Sequence, residues 1–235
     1  PNSPFTPFID GSTLRTVGKV KKSQTGTRVR FWADFQIFPS TEGFSWENLL
    51  ARARQTAFLV PGLTINCYDE RGEEELHESF RFDGGVVDFA NWLASDGPVT
   101  DTWHITGEGT YNETVQALDS KTGHLRATQV ERTCEVDIAL RWGIGYDTTV
   151  QSFVNIIATP KGGTHVTGFE QAVLKTLRAA IDKNARKLKV GAKDGRPEKD
   201  DVQAGMTAVI TVRFPEPQFE GQTKETLGTP QIRTV

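Results

Sequence analysis

The chain has 235 residues, of which 37% are hydrophobic and 24% charged, and a formal net charge of −3. That length can bury one large core or two modest ones, and the balance describes an ordinary soluble globular protein. It excludes a chain basic all over, so any nucleic-acid contact must come from a local patch. No stretch approaches the roughly 20 apolar residues of a membrane span, so no membrane association is expected.

The lead-in "PNSPFTPFIDGS" is proline-rich and lacks the basic-then-apolar layout of a signal peptide. Cys67 and Cys134, the two cysteines, are too far apart for a metal knuckle. A cytosolic setting with reduced thiols is the expectation. "TGTRVRFW" (25–32) opens on a glycine turn and alternates as a strand does, with Val29 and Phe31 on one face. "SWENLLARARQTAFL" follows, with Trp46, Leu49, Leu50, Ala53, Ala57 and Phe58 at helical spacing and Ser45 with Glu47 as its cap. Pro61-Gly62 stops that helix, and "LTINCY" returns as a strand. The acidic stretch around Glu73, Glu74 and Glu75 reads as a solvated turn and strand edge rather than a cation site.

A second unit is expected from "FRFDGG" (80–85), with "VVDFANWL" as a short amphipathic helix. The polar, Thr-rich run 99–130 reads as a hairpin with a long loop. "CEVDIALRW" (134–142) alternates, with Val136, Ile138, Leu140 and Trp142 on one side and Glu135, Asp137 and Arg141 on the other. That pattern predicts a sheet covered on one face. Residues 149–159 read as one more continuous apolar strand. The longest helix is predicted over "TGFEQAVLKTLRAAIDKNARKLK", its rail being Phe169, Val173, Leu177, Ala180, Ile181 and Leu188. After a polar loop, "MTAVITVRF" is the last strand and leads into "PEPQFEGQTKETLGTP" (215–230).

Few motifs carry chemistry. "KGGTH" (161–165) precedes a helix and could cradle a phosphate; a tight turn capped by Thr164 or Thr167 is the favoured reading. His165 has no nucleophile beside it and reads as a packing histidine, while His77, His104 and His124 lack ligand spacing. No Gly-x-Ser-x-Gly elbow, Walker lysine motif or His-Glu-x-x-His occurs. From 170 to 199 nine Lys or Arg stand against four Asp or Glu. This is either a solvated helix face or a surface for DNA phosphates, with Lys183, Arg186, Lys187 and Lys189 as its DNA-facing candidates. In the final loop, prolines flank a polar hook, Gln222-Thr223-Lys224. A lysine on a stiffened loop can neutralise a terminal phosphate, and a neighbouring glutamine adds an oriented dipole. On physical grounds alone this stands level with a solvent-exposed loop.

The string "PEPQFEGQTKETLG" resembles the nucleotide-sensing loop of the B subunit of bacterial type IIA topoisomerases, DNA gyrase B and its topoisomerase IV counterpart. "TGTRVRFWADFQIF", "AFLVPGLTINCYDER", "FVNIIATPKGGTHVTGF" and "GMTAVITVRFPEPQFEGQTK" resemble further family segments in the family's order. The Thr- and Gly-rich stretch 106–130 departs from gyrase B, which leaves gyrase versus topoisomerase IV open. The resemblance implies an α+β chain in two parts. Residues 1–79 would close a Bergerat-type (GHKL) ATP-binding domain, and 80–235 would form a transducer domain, incomplete at its C-terminus. The transducer would have the fold of ribosomal protein S5 domain 2, with a left-handed βαβ crossover.

It also implies roles. Thr27 would line the floor of the adenine pocket, and Gln222 and Lys224 would contact the γ-phosphate as the catalytic pair. The ligands would be ATP and Mg2+, the metal held by a segment N-terminal to this one. The partners would be double-stranded DNA, the topoisomerase A subunit in an A2B2 heterotetramer, and a second B subunit that closes a clamp on ATP binding. The setting would be the bacterial cytoplasm, at the nucleoid. The family's general-base glutamate, Mg2+-holding asparagine and ATP lid match nothing in 1–24, so the chain alone is expected to be inactive. The open alternatives are a non-catalytic S5-like nucleic-acid-binding module and the transducer of another Bergerat-fold ATPase.

Overall fold

A computed structural model describes residues 17–34, 36–37, 43–118, 124–191 and 193–235. The chain divides into two units, Pro1–Gly43 and Phe44–Val235. In the first, the described residues form no helix or strand, and Val29, Phe31 and Trp32 are exposed. The strand expected at 25–32 is therefore absent there. Alternation selects extended structure only when a neighbouring ladder takes the backbone groups and a core takes the apolar face.

The second unit begins with α1, Trp46–Leu59, where the sequence places it. The Ser45 hydroxyl accepts the Asn48 N–H at 3.2 Å, and Glu47 stands in the first turn near the positive helix end. Ala53 and Ala57 face Cys67 and Phe80, while Phe58 and Leu59 turn toward the next helix. Leu49 is left about half exposed. Strands β1 (Ile65–Asp69) and β2 (Leu76–Phe80) form an antiparallel hairpin, with Glu73, Glu74 and Glu75 exposed at its turn. Helix α2, Val86–Leu93, sets Phe89 in a stack on Phe58 with ring centroids 4.7 Å apart.

The main sheet has five strands: β3 (Trp103–Leu118), β4 (Leu125–Trp142), β5 (Thr149–Val154), β6 (Ile157–Ala158) and β7 (Met206–Arg213), in the order β3-β4-β7-β5-β6. Strand β7 lies antiparallel to β4 and parallel to β5. The parallel pair is joined by a crossover through helix α3, Thr164–Lys183. Every residue of β7 except Arg213 is buried. On one face Ala139, Phe153 and Val209 pack with Phe58, Leu59, Val86, Phe89 and Ala90. On the other, Leu140, Met206, Ala208 and Ile210 pack with Phe169 of α3.

Several expectations are corrected here. The end of β4 is covered on both faces, so Arg141 is buried and its Nη2 donates to the Asp96 carbonyl at 3.0 Å. The expected long loop within 99–130 is instead continuous ladder, from Trp103↔Leu140 to Leu118↔Leu125. Because β7 reaches only to Glu135, the ribbon from Gly109↔Cys134 outward continues past it. Beyond buried Tyr111 and Cys134 the described ribbon residues are exposed or half-buried, so apolar alternation is lost and strand character rests on Thr and Val preferences. The expected single strand 149–159 folds back at Asn155 and Ile156, whose φ angles are 47° and 67°. Two consecutive left-handed residues suit the primed hairpin turns, and Asn155 fits the first position, but a β-branched Ile is disfavoured at the second, which leaves the turn weakly marked in the sequence. Helix α3 breaks at Asn184, and the short α4 (Ala185–Leu188) follows. Of the predicted rail only Phe169 is buried; Ala180 and Leu188 are exposed, because the second half of α3 extends beyond the sheet's apolar face. A last short helix, α5 (Lys199–Gln203), precedes β7.

Phe153 is fully buried between β7 and α2. Phe153→Ala is expected to lower the unfolding free energy by about 3–5 kcal/mol through a cavity that neighbouring strands cannot close. Denaturant unfolding checks this; a loss below about 1 kcal/mol would mean that this face is not the main core.

Candidate functional site

The hook grows directly from the buried central strand. Beyond β7 the side chain of Asn155 brackets Phe214: its Nδ2 donates to the Phe214 carbonyl at 2.8 Å, and its Oδ1 accepts the Phe214 N–H at 3.0 Å. The chain then runs through Pro215, Glu216 (φ 54°) and Pro217, and doubles back on itself. The Glu220 N–H donates to the Thr226 carbonyl at 2.9 Å, and the Gly228 N–H to the Gln218 carbonyl at 2.8 Å. Gly221 (φ 86°) and Lys224 (φ 58°) make the tip. Gln222, Thr223 and Lys224 are exposed there, with the Lys224 ammonium 5.8 Å from the centre of the Phe219 ring.

The returning limb is clamped to the turn before α3. The Lys161 N–H donates to the Glu225 carbonyl at 3.1 Å, the Leu227 N–H to the Gly162 carbonyl at 3.0 Å, and the Thr164 N–H to the Leu227 carbonyl at 3.0 Å. Leu227 is fully buried. Gly163 has φ 133°, and a Cβ there would stand 2.3 Å from the Leu227 oxygen, so only glycine permits this approach. Two donors of the "KGG" turn are committed to protein: the Gly162 N–H reaches the Thr159 carbonyl at 2.8 Å, and the Lys161 N–H the Glu225 carbonyl at 3.1 Å. Its residues brace the hook. The cap of α3 is Gly163 rather than Thr164 or Thr167. The Thr164 hydroxyl instead donates to the Thr229 carbonyl at 2.8 Å, tying α3 to the far end of the loop.

Two side chains that sequence reasoning missed shape the tip. The Glu225 carboxylate lies 2.6 Å from the Lys161 ammonium and accepts the Thr223 hydroxyl at 3.3 Å. The Lys161 ammonium beside it holds that carboxyl below its ordinary value. At the stem, Arg132 of β4 reaches Glu113 at 3.2 Å and Glu216 at 3.3 Å. Lys161 and Glu225 are 64 positions apart in the chain, and no local pattern joins them.

The hook brings Gln222 and Lys224 together. Thr27 lies in the first unit, in an irregular and exposed segment. Lys183 ends α3, Arg186 and Lys187 belong to α4, and Lys189 follows at φ 56°, all four exposed. Among the described residues no acidic side chain lies within ion-pair reach of these four.

His165 is buried behind the clamp, its Nε2 3.2 Å from the Thr159 hydroxyl and its Nδ1 without a partner. Burial pushes its pKa down to about 4. The unfolded chain therefore binds a proton that the folded one refuses as pH falls through about 6.5 toward 4. The stability this neutral histidine allows is complete above pH 6.5 and is lost below it, by about 3 kcal/mol at pH 4. Replacing it by His165→Gln is expected to flatten the unfolding free energy over that window. An equally steep decline in the variant would assign the acid sensitivity elsewhere.

A family model for DNA gyrase B matches residues 85–235. The B subunit of DNA gyrase from Streptomyces coelicolor is 38% identical over 228 residues, covering 90% of this chain and 30% of that protein. The B subunit of DNA topoisomerase 4 from Enterococcus faecalis is 38% identical over 235 residues, covering 97% and 30%. Among solved structures, the 43K ATPase domain of Thermus thermophilus gyrase B, in complex with an aminocoumarin, superposes with a TM-score of 0.66 at 30% identity. It covers 94% of this chain and 52% of its own. The topoisomerase IV ATP-binding domain of Francisella tularensis, in complex with a small-molecule inhibitor, gives 0.66 at 25% identity, with 95% and 53% covered. The chain thus spans about 30% of the length of these two curated relatives. It has the mixed α+β fold of the ATPase region of gyrase and topoisomerase IV B subunits. On the strength of the matched segment and of these relatives, the chain belongs to the DNA gyrase B family.

Proposed function

We propose that this chain is the part of an ATP-hydrolysing type II DNA topoisomerase B subunit that reads the state of bound nucleotide and passes it to the transducer. Residues 1–79 close the GHKL ATP-binding domain, and 80–235 form the S5-like transducer with its left-handed crossover. The observation that supports this best is the hook itself: a cation and an amide exposed at the tip of a hairpin whose returning limb carries three backbone hydrogen bonds to the turn before α3. A stiff stem with a reactive tip loses little freedom when it meets an anion.

In this reading Lys224 neutralises charge on the γ-phosphate, and Gln222 orients its amide toward the same oxygens. Thr27 contributes to the adenine pocket. ADP lacks the group that Lys224 engages, so only the triphosphate favours the closed state. Closure joins two B subunits as a clamp around double-stranded DNA, and the A subunit completes an A2B2 enzyme. Among the described residues no group of three His, Cys, Asp or Glu is placed to hold Mg2+. The hook's own contribution is an ammonium and an amide dipole. The basic face of Lys183, Arg186, Lys187 and Lys189 borders the captured duplex through sequence-blind phosphate contacts.

In the full-length subunit, Lys224→Ala is expected to reduce ATP turnover by about 100-fold or more with an unchanged unfolding midpoint, since its side chain is exposed. Wild-type turnover would sink the assignment. Arg186→Glu together with Lys187→Glu is expected to lower the salt slope of DNA-stimulated ATP hydrolysis by about one for each phosphate no longer met. An unaltered slope would leave those residues as a solvated helix end.

A further inference from the structure

We propose that Lys161 is a positioning residue for the hook: by engaging the Glu225 carboxylate, it keeps that charge off Lys224 and away from an incoming triphosphate. The inference rests on the nucleotide-sensing reading above.

The loop is poorly suited to an anion on composition alone. From Pro215 to Glu225 it carries three carboxylates, Glu216, Glu220 and Glu225, and one lysine, Lys224. A triphosphate approaching those charges unpaired would meet net repulsion. The structure supplies two cations from outside the loop. Arg132 of β4 reaches Glu216 at the stem, and Lys161 of the turn before α3 reaches Glu225 at 2.6 Å. Glu225 matters most of the three, because it adjoins Lys224 and its carboxylate could pair with that ammonium instead. It does not. Its Oε2 is taken by Lys161 and by the Thr223 hydroxyl, while the Lys224 ammonium lies near the Phe219 ring. The two neighbours engage different partners, and the cation at the tip stays available.

The arrangement is held by main chain as well as side chain. The Lys161 N–H bonds the Glu225 carbonyl at 3.1 Å, so the ammonium starts from a backbone already fixed beside its partner. That bond survives any substitution of the Lys161 side chain that keeps the N–H. The side chains are 68% and 36% exposed, so the pair adds little to folding stability. Its consequence is the local potential at the tip. The selection of a Lys on one segment and a Glu on another has its physical sense there.

The test uses the full-length B subunit with its A subunit and DNA, and steady-state ATP hydrolysis. Lys161→Ala is expected to raise KM for ATP about three- to ten-fold with a smaller change in kcat. The effect should fade as ionic strength rises. Lys161→Arg is expected to keep KM near wild type. Adding Glu225→Gln to Lys161→Ala is expected to return KM to within about two-fold of wild type, because the charge needing a partner is gone. A wild-type KM for Lys161→Ala overturns the proposal, as does failure of Glu225→Gln to rescue it. Lys224→Ala run alongside separates the two levels. If that variant is crippled and Lys161→Ala is normal, only the positioning role fails; if Lys224→Ala is itself normal, the nucleotide-sensing reading fails and this inference with it.

Discussion

The contact between Gly163 and Leu227 is the constraint on which the rest of the unit's chemistry depends. Two segments 64 positions apart approach until their backbones exchange hydrogen bonds on both sides of Gly163, from Leu227 N–H to Gly162 and from Thr164 N–H to Leu227. No side chain fits between them. The contact fixes the returning limb of the hook to the first turn of α3, and Leu227 seals it by entering the core with Val154, Val212, Phe214 and Ile232. The proline-rich loop that begins at Pro215 is thereby braced against the turn before α3 rather than left as a tether.

Rigidity reaches that contact from the centre of the sheet. Strand β7 is buried on both faces and is hydrogen-bonded to β4 and β5. Its exit is held by the amide of Asn155, which occupies the same tight turn that reverses β5 into β6. The root of the β3–β4 ribbon joins the same cluster. Tyr111 meets Phe214 edge-on with ring centroids 6.1 Å apart, and Arg132 spans Glu113 and Glu216. The ribbon, the central strand, the helix and the hook's stem thus share one packed neighbourhood. The proposed nucleotide-sensing role requires this mechanical property: a small contact at the tip gains leverage only where the stem does not yield.

Electrostatics complements the packing. The scaffold provides cations from β4 and from the turn before α3 to a loop rich in carboxylates, leaving Lys224 exposed at the tip. Behind the clamp the environment is the reverse: His165, Thr159 and Ser152 are buried, and the histidine is kept neutral by lack of solvent. The hook's charged groups lie on the exposed side of a buried support.

The linear order of residues was enough wherever short-range physics controls the outcome. Ser45 before an apolar period of 3.6 started α1, Pro61-Gly62 ended it, and the β-branched run within Met206–Arg213 made β7. The wording of 215–230 pointed to the family and to a proline-flanked hook, because a family's loop chemistry is written in consecutive residues. Long-range packing settled the remainder. The outer ribbon, 112–117 with 125–131, shows little apolar period because it buries neither face; Ile156 at positive φ contradicts local preference, and its turn is held by β6 and Phe214. Alternation at 25–32 made no strand among the described residues, since a pattern cannot provide its own ladder. The partners of Lys161 and Arg132 were equally hidden. An ion pair across 64 or 84 positions exists only once the chain has folded, and no local rule encodes the distance between its ends.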